Sequence, residues 1–406
     1  MPRELVALAP RRPALREYTE PALGRRQVRI RTEFAAPKHG TELVLYRGTR
    51  RSIEVAYDRE WGCLLPRAAV QQARLFPRRL GNMAVGVVAE AGAGVTRFRP
   101  GDRVFGHLPI RETHTVDEDR VDRLPEGLAP EVAVCLDPAV MALALRDAGI
   151  RLGDRVAVFG LGAIGLMAVQ LARLAGASQV IAVDPIAPRR GLAARYGADV
   201  AIAPVDDTGL AVRRLTRLAQ EADGGSGGGG TMAADLVEAL LAMPGPQTAA
   251  VLTASQARRL GKRVVGGYVE APTQWGGLGV DVAVEASGSP RALQDAIRAT
   301  RFGGTVSLLS FYGGSEAAGL RLGEEFHLNR LSLVSCRAES LPLRAAPGWT
   351  LERQARTALR WLATGRLRAD GMVAPIVPFE AAVEAYREID EHPERSIKLG
   401  VRFDGY

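Results

Sequence analysis

Apolar and polar residues alternate in short runs through the first hundred positions. Gln27-Val28-Arg29-Ile30-Arg31-Thr32 puts Val28 and Ile30 on one face and the arginines on the other, the period-two pattern of a half-buried strand. Val85-Gly86-Val87-Val88-Ala89-Glu90 predicts a further strand, Ala91-Gly92-Ala93-Gly94 a turn, and Pro100-Gly101-Asp102-Arg103-Val104 a turn entering the next strand. Over 131–149 the period lengthens to that of a helix. From Asp154 onward the pattern changes. Arg155-Val156-Ala157-Val158-Phe159 is almost continuously apolar, as a parallel strand covered on both faces must be. A glycine-rich loop follows, then a predicted helix over 164–175 and a second apolar strand over 179–183 that ends at Asp184. Strands over 198–202, 280–285 and 304–310, with a helix over 292–300, continue the alternation. The pattern predicts an α/β chain: a β-rich first part, then a doubly wound parallel sheet. Two amphipathic helices over 350–364 and 379–389 and a closing strand over 396–403 complete it.

One stretch breaks the rhythm. A βαβ crossover needs roughly 20–30 residues, yet residues 203–279 separate two successive strands of the alternating series. This insertion, at about 205–279, holds helix-like pieces over 210–222 and 233–241. Between them lies Gly224-Gly225-Ser226-Gly227-Gly228-Gly229-Gly230, a flexible linker by composition, and the whole reads as peripheral to the chemistry.

Composition narrows the function classes. With 406 residues, 47% of them hydrophobic, the chain suits two globular domains. No apolar run reaches the roughly 20 residues of a membrane helix, and the start lacks the layout of a secretory signal. Cys63, Cys135 and Cys336 lie too far apart for a cysteine-built zinc site and fit a reducing compartment, so a cytoplasmic protein is expected. The net charge of +8 comes from scattered arginines, with Lys38, Lys262 and Lys398 the only lysines. A nucleic-acid surface would cluster that charge among aromatics, so no nucleic-acid partner is expected.

The glycine loop carries the most specific signal. Gly160-Leu161-Gly162-Ala163-Ile164-Gly165 sits between an apolar strand and a helix, the context a dinucleotide site requires. Gly160 permits the tight turn and Gly162 lets backbone N–H groups reach a pyrophosphate. Gly165 lets the helix pack on the sheet, and the helix start, at Ala163 and Ile164, presents its free N–H groups. Asp184, 19 residues after Gly165, is placed to accept hydrogen bonds from an adenine-ribose and to repel a 2′-phosphate, which favours NAD over NADP. Arg189 and Arg190 follow closely and are the residues able to oppose that preference.

Together these elements resemble the medium-chain dehydrogenase/reductase superfamily across most of the chain. Gly86-Val87-Val88 through Gly101-Asp102-Arg103-Val104 is similar to its N-terminal strand pair, and Asp281 through Ser289 to a later Rossmann strand with its nicotinamide-side loop at Ser287 and Gly288. Gly303-Gly304-Thr305-Val306 and Ser396-Ile397-Lys398 also fit. The resemblance implies a GroES-like catalytic domain from 1–150 and 336–406, a Rossmann domain from 151–335, an active site in the cleft, and a homodimer or homotetramer acting on a small-molecule substrate.

The departures from the zinc-dependent branch are as informative. Where those relatives carry Cys-Gly-Ser/Thr-Asp this chain reads His39-Gly40-Thr41-Glu42; where they carry Gly-His-Glu it reads Gly81-Asn82-Met83; the region of the third ligand reads Asp137-Pro138. A catalytic zinc needs three good protein ligands and one open position, and the resemblance therefore implies a zinc-free member. Without a metal, a side chain must take the alcohol proton. His39, read as closing a strand, has the most suitable ordinary pKa, with Lys38 next if desolvated; Tyr46 and Trp61, on the loop before Gly81, are expected to be ordinary packing residues. Thr41 stands at the hydroxyl-relay position, Asn82 is able to donate to a developing alkoxide, and Glu42 and Asp137 complete the candidates. The leading expectation is an NAD-dependent, zinc-independent dehydrogenase of a secondary alcohol: a polyol, sugar or cyclitol, or a bulkier substrate such as the hydroxyethyl group met in bacteriochlorophyll synthesis. An NADPH-dependent quinone or enoyl reductase and an inactive dinucleotide-binding homologue are the alternatives.

Overall fold

A computed structural model describes residues 1–49, 54–68, 75–223, 264–265, 268–269, 277–312, 319–340 and 348–403. Six strands form one sheet in the spatial order Val200–Ile202, Gln179–Val183, Arg155–Phe159, Val280–Glu285, Thr300–Leu308, Ser332–Ser335. Every neighbouring pair runs parallel. Numbered along the chain, the order is 3-2-1-4-5-6, the doubly wound arrangement of a dinucleotide-binding fold, whose ligand crevice lies outside the carboxyl ends of strands 1 and 4. All five residues of Gln179–Val183 are buried, which explains the unbroken apolar run.

A second, seven-stranded sheet draws on both ends of the chain. Asp122–Arg123, Arg103–Gly106, Met83–Ala91, Gln27–Ala36, Lys398–Arg402 and Val373–Pro378 lie side by side, and Thr113–Asp117 also pairs with Gln27–Ala36. Its apolar core joins Val28, Ile30 and Val104 to Leu399, Val401, Phe379 and Tyr386, so the first and last segments are one folding unit. The helix Leu136–Leu143 bridges the two sheets, packing on the helix Ala163–Leu174 in a core shared with Phe34, Met83 and Val85. Burying Leu136, Val140 and Leu143 there contributes about 2 kcal/mol each.

Several local expectations need correction. His39 does not end a strand. It opens the helix His39–Arg47, and Tyr46 belongs to that helix, 1% exposed and edge-on to Tyr386, not to a loop. The alternation missed two short hairpins, Arg3–Ala9 with Arg12–Glu17 and Val55–Asp58 with Cys63–Pro66. Trp61, at the tip of the second, is 75% exposed and is not packed into a core. In the insertion the helix Thr208–Asp223 forms as the pattern predicts; the glycine tract 224–230 and the helix-like stretch 233–241 lie outside the described residues. No described helix is long and apolar enough to cross a membrane.

Candidate active site

The glycine loop sits at the carboxyl end of the first parallel strand. Gly160 has φ +89°, a left-handed conformation, and a Cβ there would come within 2.6 Å of the Ser287 Cβ. At Gly165 a Cβ would fall 1.8 Å from the Gly160 carbonyl oxygen, so the helix approaches the strand as closely as it does only because Gly165 is glycine. Gly162 instead faces open space, with nothing within 4 Å of the point a Cβ would occupy. It stands at the N-cap of Ala163–Leu174 with no side-chain cap. The first N–H groups of a 12-residue helix are thereby left without a side-chain cap, which suits a diphosphate by hydrogen bonding and by the helix dipole.

Asp184 is 3% exposed and fixed from both sides. Its Oδ2 accepts the Leu161 N–H at 2.7 Å and its Oδ1 accepts the Ile186 N–H at 2.8 Å. Each carboxylate oxygen keeps a second lone-pair direction for ribose hydroxyls. The two arginines are committed elsewhere. Arg189 Nη2 donates across the cleft to the carbonyls of Pro393 and Ser396, at 2.5 and 2.6 Å, while its Nη1 stays 4.0 Å from Asp184. Arg190 donates to the carbonyls of Asp184 and Pro185, both at 2.8 Å.

Sequence reasoning named Ser287 and Gly288 but missed what holds them. Glu285, fully buried at the end of the fourth strand, accepts the Ser287 N–H at 2.8 Å and the Gly288 N–H at 3.2 Å, and also bonds the hydroxyls of Ser287, Ser310 and Tyr312. This one carboxylate ties together the loops after the fourth and fifth strands, beside Gly160. Burial, reinforced by the Glu285 charge, pushes the Tyr312 hydroxyl well above its ordinary range, so it stays a donor. The available signal was a glutamate at the end of the strand Val280–Glu285, two residues before Ser287.

Across the crevice, the catalytic sheet brings the other candidates together. The Lys38 Nζ lies 3.2 Å from Asp137 Oδ1; Asp137, in the first turn of the bridging helix, is only 5% exposed. His39 Nε2 accepts the Leu399 N–H at 2.9 Å. Burial, reinforced by the charges of Lys398 and Arg189, lowers its pKa to about 3, so the ring is neutral and its lone pair already used. Glu42 turns away from the crevice: it accepts the Gly81 N–H at 2.9 Å and the Tyr386 hydroxyl, and burial raises its pKa. Thr41 is exposed on the first turn of the same helix. Lys398, unassigned in the sequence reading, is 3% exposed and donates to the Pro37 carbonyl at 2.8 Å; burial lowers its pKa. Asn82 Oδ1 lies 3.4 Å from His107 Nδ1.

As a zinc cage this donor set fits poorly. The His39 lone pair is taken by a main-chain N–H, Asp137 already faces an ammonium, Asn82 is a weak ligand, and Met83 is buried in the sheet. Among the described residues no three His, Cys, Asp or Glu side chains gather as a metal ion requires.

The zinc-binding dehydrogenase family pattern matches residues 163–347. D-guloside 3-dehydrogenase of Escherichia coli (strain K12) is 36% identical over 409 residues, covering 99% of this chain and all of that protein. The chain belongs to the zinc-binding dehydrogenase family of medium-chain dehydrogenases/reductases. It is therefore an oxidoreductase acting on CH–OH groups with a nicotinamide dinucleotide. Two solved folds cover 99% of it: a zinc-binding dehydrogenase from Sinorhizobium meliloti 1021 bound to NADP (TM-score 0.62, 20% identity) and an alcohol dehydrogenase from E. coli CFT073 with NADH (TM-score 0.62, 18% identity). Each of those chains is itself 99% covered. The fold thus accommodates either cofactor.

Proposed function

We propose that this dehydrogenase uses NAD to oxidise a secondary hydroxyl of a sugar ring, or to reduce the matching ketone, without zinc, and that Lys38 handles the proton. The observation that carries the reading is the Lys38–Asp137 pair, an ammonium held at 3.2 Å by a buried carboxylate in the corner where metal ligands converge in zinc-dependent relatives. The sugar ring is suggested by the relative that acts on D-guloside, which aligns end to end with this chain.

The dinucleotide, when bound, supplies or accepts the hydride at its nicotinamide ring. The chain's own residues do the rest. Gly160, Gly162 and the N–H groups of Ala163 and Ile164 hold the phosphates; Gly165 lets their helix sit close. Asp184, fixed by Leu161 and Ile186, accepts the ribose hydroxyls, and its charge disfavours a 2′-phosphate. With Arg189 and Arg190 committed to main-chain carbonyls, neither is free to reverse that preference. Ser287 and Gly288, clamped by Glu285, border the nicotinamide side. In the reducing direction the Lys38 Nζ gives a proton to the carbonyl oxygen as negative charge develops on it; in the oxidising direction the transfer runs in reverse, from the hydroxyl to the same nitrogen. Asp137 orients the lysine. His39, whose pKa is about 3, is a poor proton acceptor and serves instead to fix the last strand to the helix His39–Arg47. Glu42 braces the Gly81 turn against Tyr386.

The expected homodimer or homotetramer is part of this proposal, supported by a hairpin that leaves Tyr57, Trp61, Leu64 and Leu65 exposed; sedimentation of the purified chain checks it. The activity test is a screen of methyl pyranosides and simple secondary alcohols against NAD and NADP, before and after exhaustive chelation and with metal content measured. Turnover with NAD that survives chelation supports the reading. Stoichiometric zinc whose removal abolishes turnover, or a strong preference for NADP, overturns its finer parts.

A further inference from the structure

Away from the crevice, a cavity of about 230 Å³ opens where three helices meet: Leu136–Leu143, Ala163–Leu174 and Leu351–Ala363. Leu143, Leu171, Leu174 and Trp361 are among the apolar side chains in its wall, and Arg146 adds a charge. Leu174 is 36% exposed and Ala175, beside it in the wall, is exposed too, so the cavity is open to solvent. Leu152, 89% exposed, lies against Gly176 at the same rim. The helices that carry Asp137 and the glycine loop reach this cavity with their opposite ends. At 1.5 Å per residue Leu174 stands about 16 Å along the axis from Ala163, which separates the cavity from the crevice.

Next to the cavity two guanidiniums share one indole. The Arg146 guanidinium carbon lies 4.0 Å from the Trp349 ring centroid and that of Arg353 lies 4.5 Å from it. Arg353 also donates to the Gly348 carbonyl at 3.3 Å. Among the described residues neither arginine meets a carboxylate, and burial, reinforced by the Arg353 charge, lowers the Arg146 pKa. Arg366, 5.0 Å from the Trp361 centroid, adds a further cation. A guanidinium lying over an indole engages it through its π face and keeps the N–H donors in its plane for a planar anion. Like charges gathered without a counter-ion repel, and an anion beside them relieves that repulsion. An apolar recess suits a hydrocarbon tail, and one smaller than the roughly 300 Å³ at which drug-sized pockets begin suits a short tail. We propose that this cavity binds a medium-chain carboxylic acid, its tail among Leu143, Leu171, Leu174 and Trp361 and its carboxylate on Arg146. The site goes beyond the dehydrogenase reaction and does not depend on the sugar reading above.

Calorimetric titration of the full chain with butanoate, hexanoate and octanoate tests the assignment. Affinity should rise by about fourfold per added methylene as the tail fills the cavity. Octanamide keeps the length without the charge and should bind about tenfold more weakly than octanoate. Arg146→Met should raise the octanoate Kd by about tenfold and erase its advantage over octanamide, and Arg146→Lys should recover part of it. Ala175→Phe, which places a ring at the exposed rim, should weaken acid and amide alike, and it carries the test if the arginine variants fold badly. Kd values independent of chain length, or an octanoate Kd unchanged in both Arg146→Met and Ala175→Phe, overturn the assignment. Displacement of octanoate by saturating NADH overturns it by placing the acid in the crevice. Capture of the chain by phosphatidylglycerol vesicles, with no binding of free octanoate, overturns it in favour of a bilayer surface.

Discussion

The two walls of the crevice are built on different principles. On the Rossmann side the proposed cofactor loop is main chain: Gly160, Gly162 and Gly165 within six consecutive residues, and Asp184 one strand away, with Gly160 and Gly165 required by close approach and Asp184 fixed by N–H contacts. On the opposite wall the chemistry is side chain, and every pairing spans the sequence. Lys38 meets Asp137, His39 meets Leu399, and Glu42 meets Tyr386. The first wall is a local motif with a rigid job; the second is a set of long-range contacts in which exchanging one partner changes the chemistry without changing the fold.

The largest effect that separates the two walls is expected at Lys38. Replacing it by methionine keeps much of the stem but removes the group proposed to carry the proton, and kcat should fall by about 10²- to 10⁴-fold, the usual worth of a positioned acid or base. Dinucleotide affinity, read by nicotinamide fluorescence, should stay unchanged because the bond to Lys38 comes from Asp137, outside the Rossmann wall. A kcat within threefold of wild type would remove the lysine from the mechanism and return the proton to another group.

The opposite signature belongs to Gly165→Ala. The added methyl would need to occupy space 1.8 Å from the Gly160 carbonyl, so the helix must retreat from the strand and carry its N–H groups with it. Dinucleotide Kd should rise at least tenfold, with the catalytic sheet intact by circular dichroism. Unchanged affinity would mean that the loop is a packing device and that the cofactor lies elsewhere.

How far the sequence could be read follows the same division. The parallel strands were legible because burial on both faces leaves an apolar run, and Arg155–Phe159, Gln179–Val183 and Val280–Glu285 begin and end where that run does. The glycine motif was legible because each glycine answers a constraint from residues nearby in space and chain. His39 was misplaced, since a histidine before glycine carries no mark of a helix start, and its acceptor role depends on a strand 360 residues away. Asp137 and Lys38 were both named, but their pairing was not, because only the bridging helix brings them together. Glu285 was passed over as strand, because the groups that bond it come from two loops that the alternation did not describe.

A smaller and more selective change is expected at Asp184. Asp184→Ala removes the proposed ribose acceptor and the charge proposed to repel a 2′-phosphate, so the NAD-to-NADP ratio of kcat/KM should drop by about tenfold, a discrimination of roughly 1.4 kcal/mol. Arg189 sharpens the test. While it remains bonded to Pro393 and Ser396 the variant should lose NAD preference without becoming a good NADP enzyme. Efficient use of NADP by the single variant would mean that this arginine leaves its carbonyl partners when a phosphate arrives.

The smallest effect concerns acid stability, and it too distinguishes the walls. His39 and His114, both in the catalytic half, are held neutral with pKa values of about 3, in each case chiefly by burial. An unfolded histidine takes up a proton below about 6.5, while these two resist it until about 3. The folded state therefore binds fewer protons than the unfolded state across that window, and the stability these groups contribute is complete above pH 6.5 and lost progressively as pH falls. In His39→Gln, which can still accept from the Leu399 N–H, the fall in Tm between pH 7 and pH 4 should be shallower than in wild type, and shallower again when His114→Gln is added. At pH 8 the single variant should differ by only a few degrees, and its pH–rate profile between pH 6 and 9 should match the wild type, since His39 stays neutral throughout that range. A rate profile that loses its acid limb in His39→Gln would instead make this histidine the group that titrates in catalysis, and Lys38 its electrostatic partner.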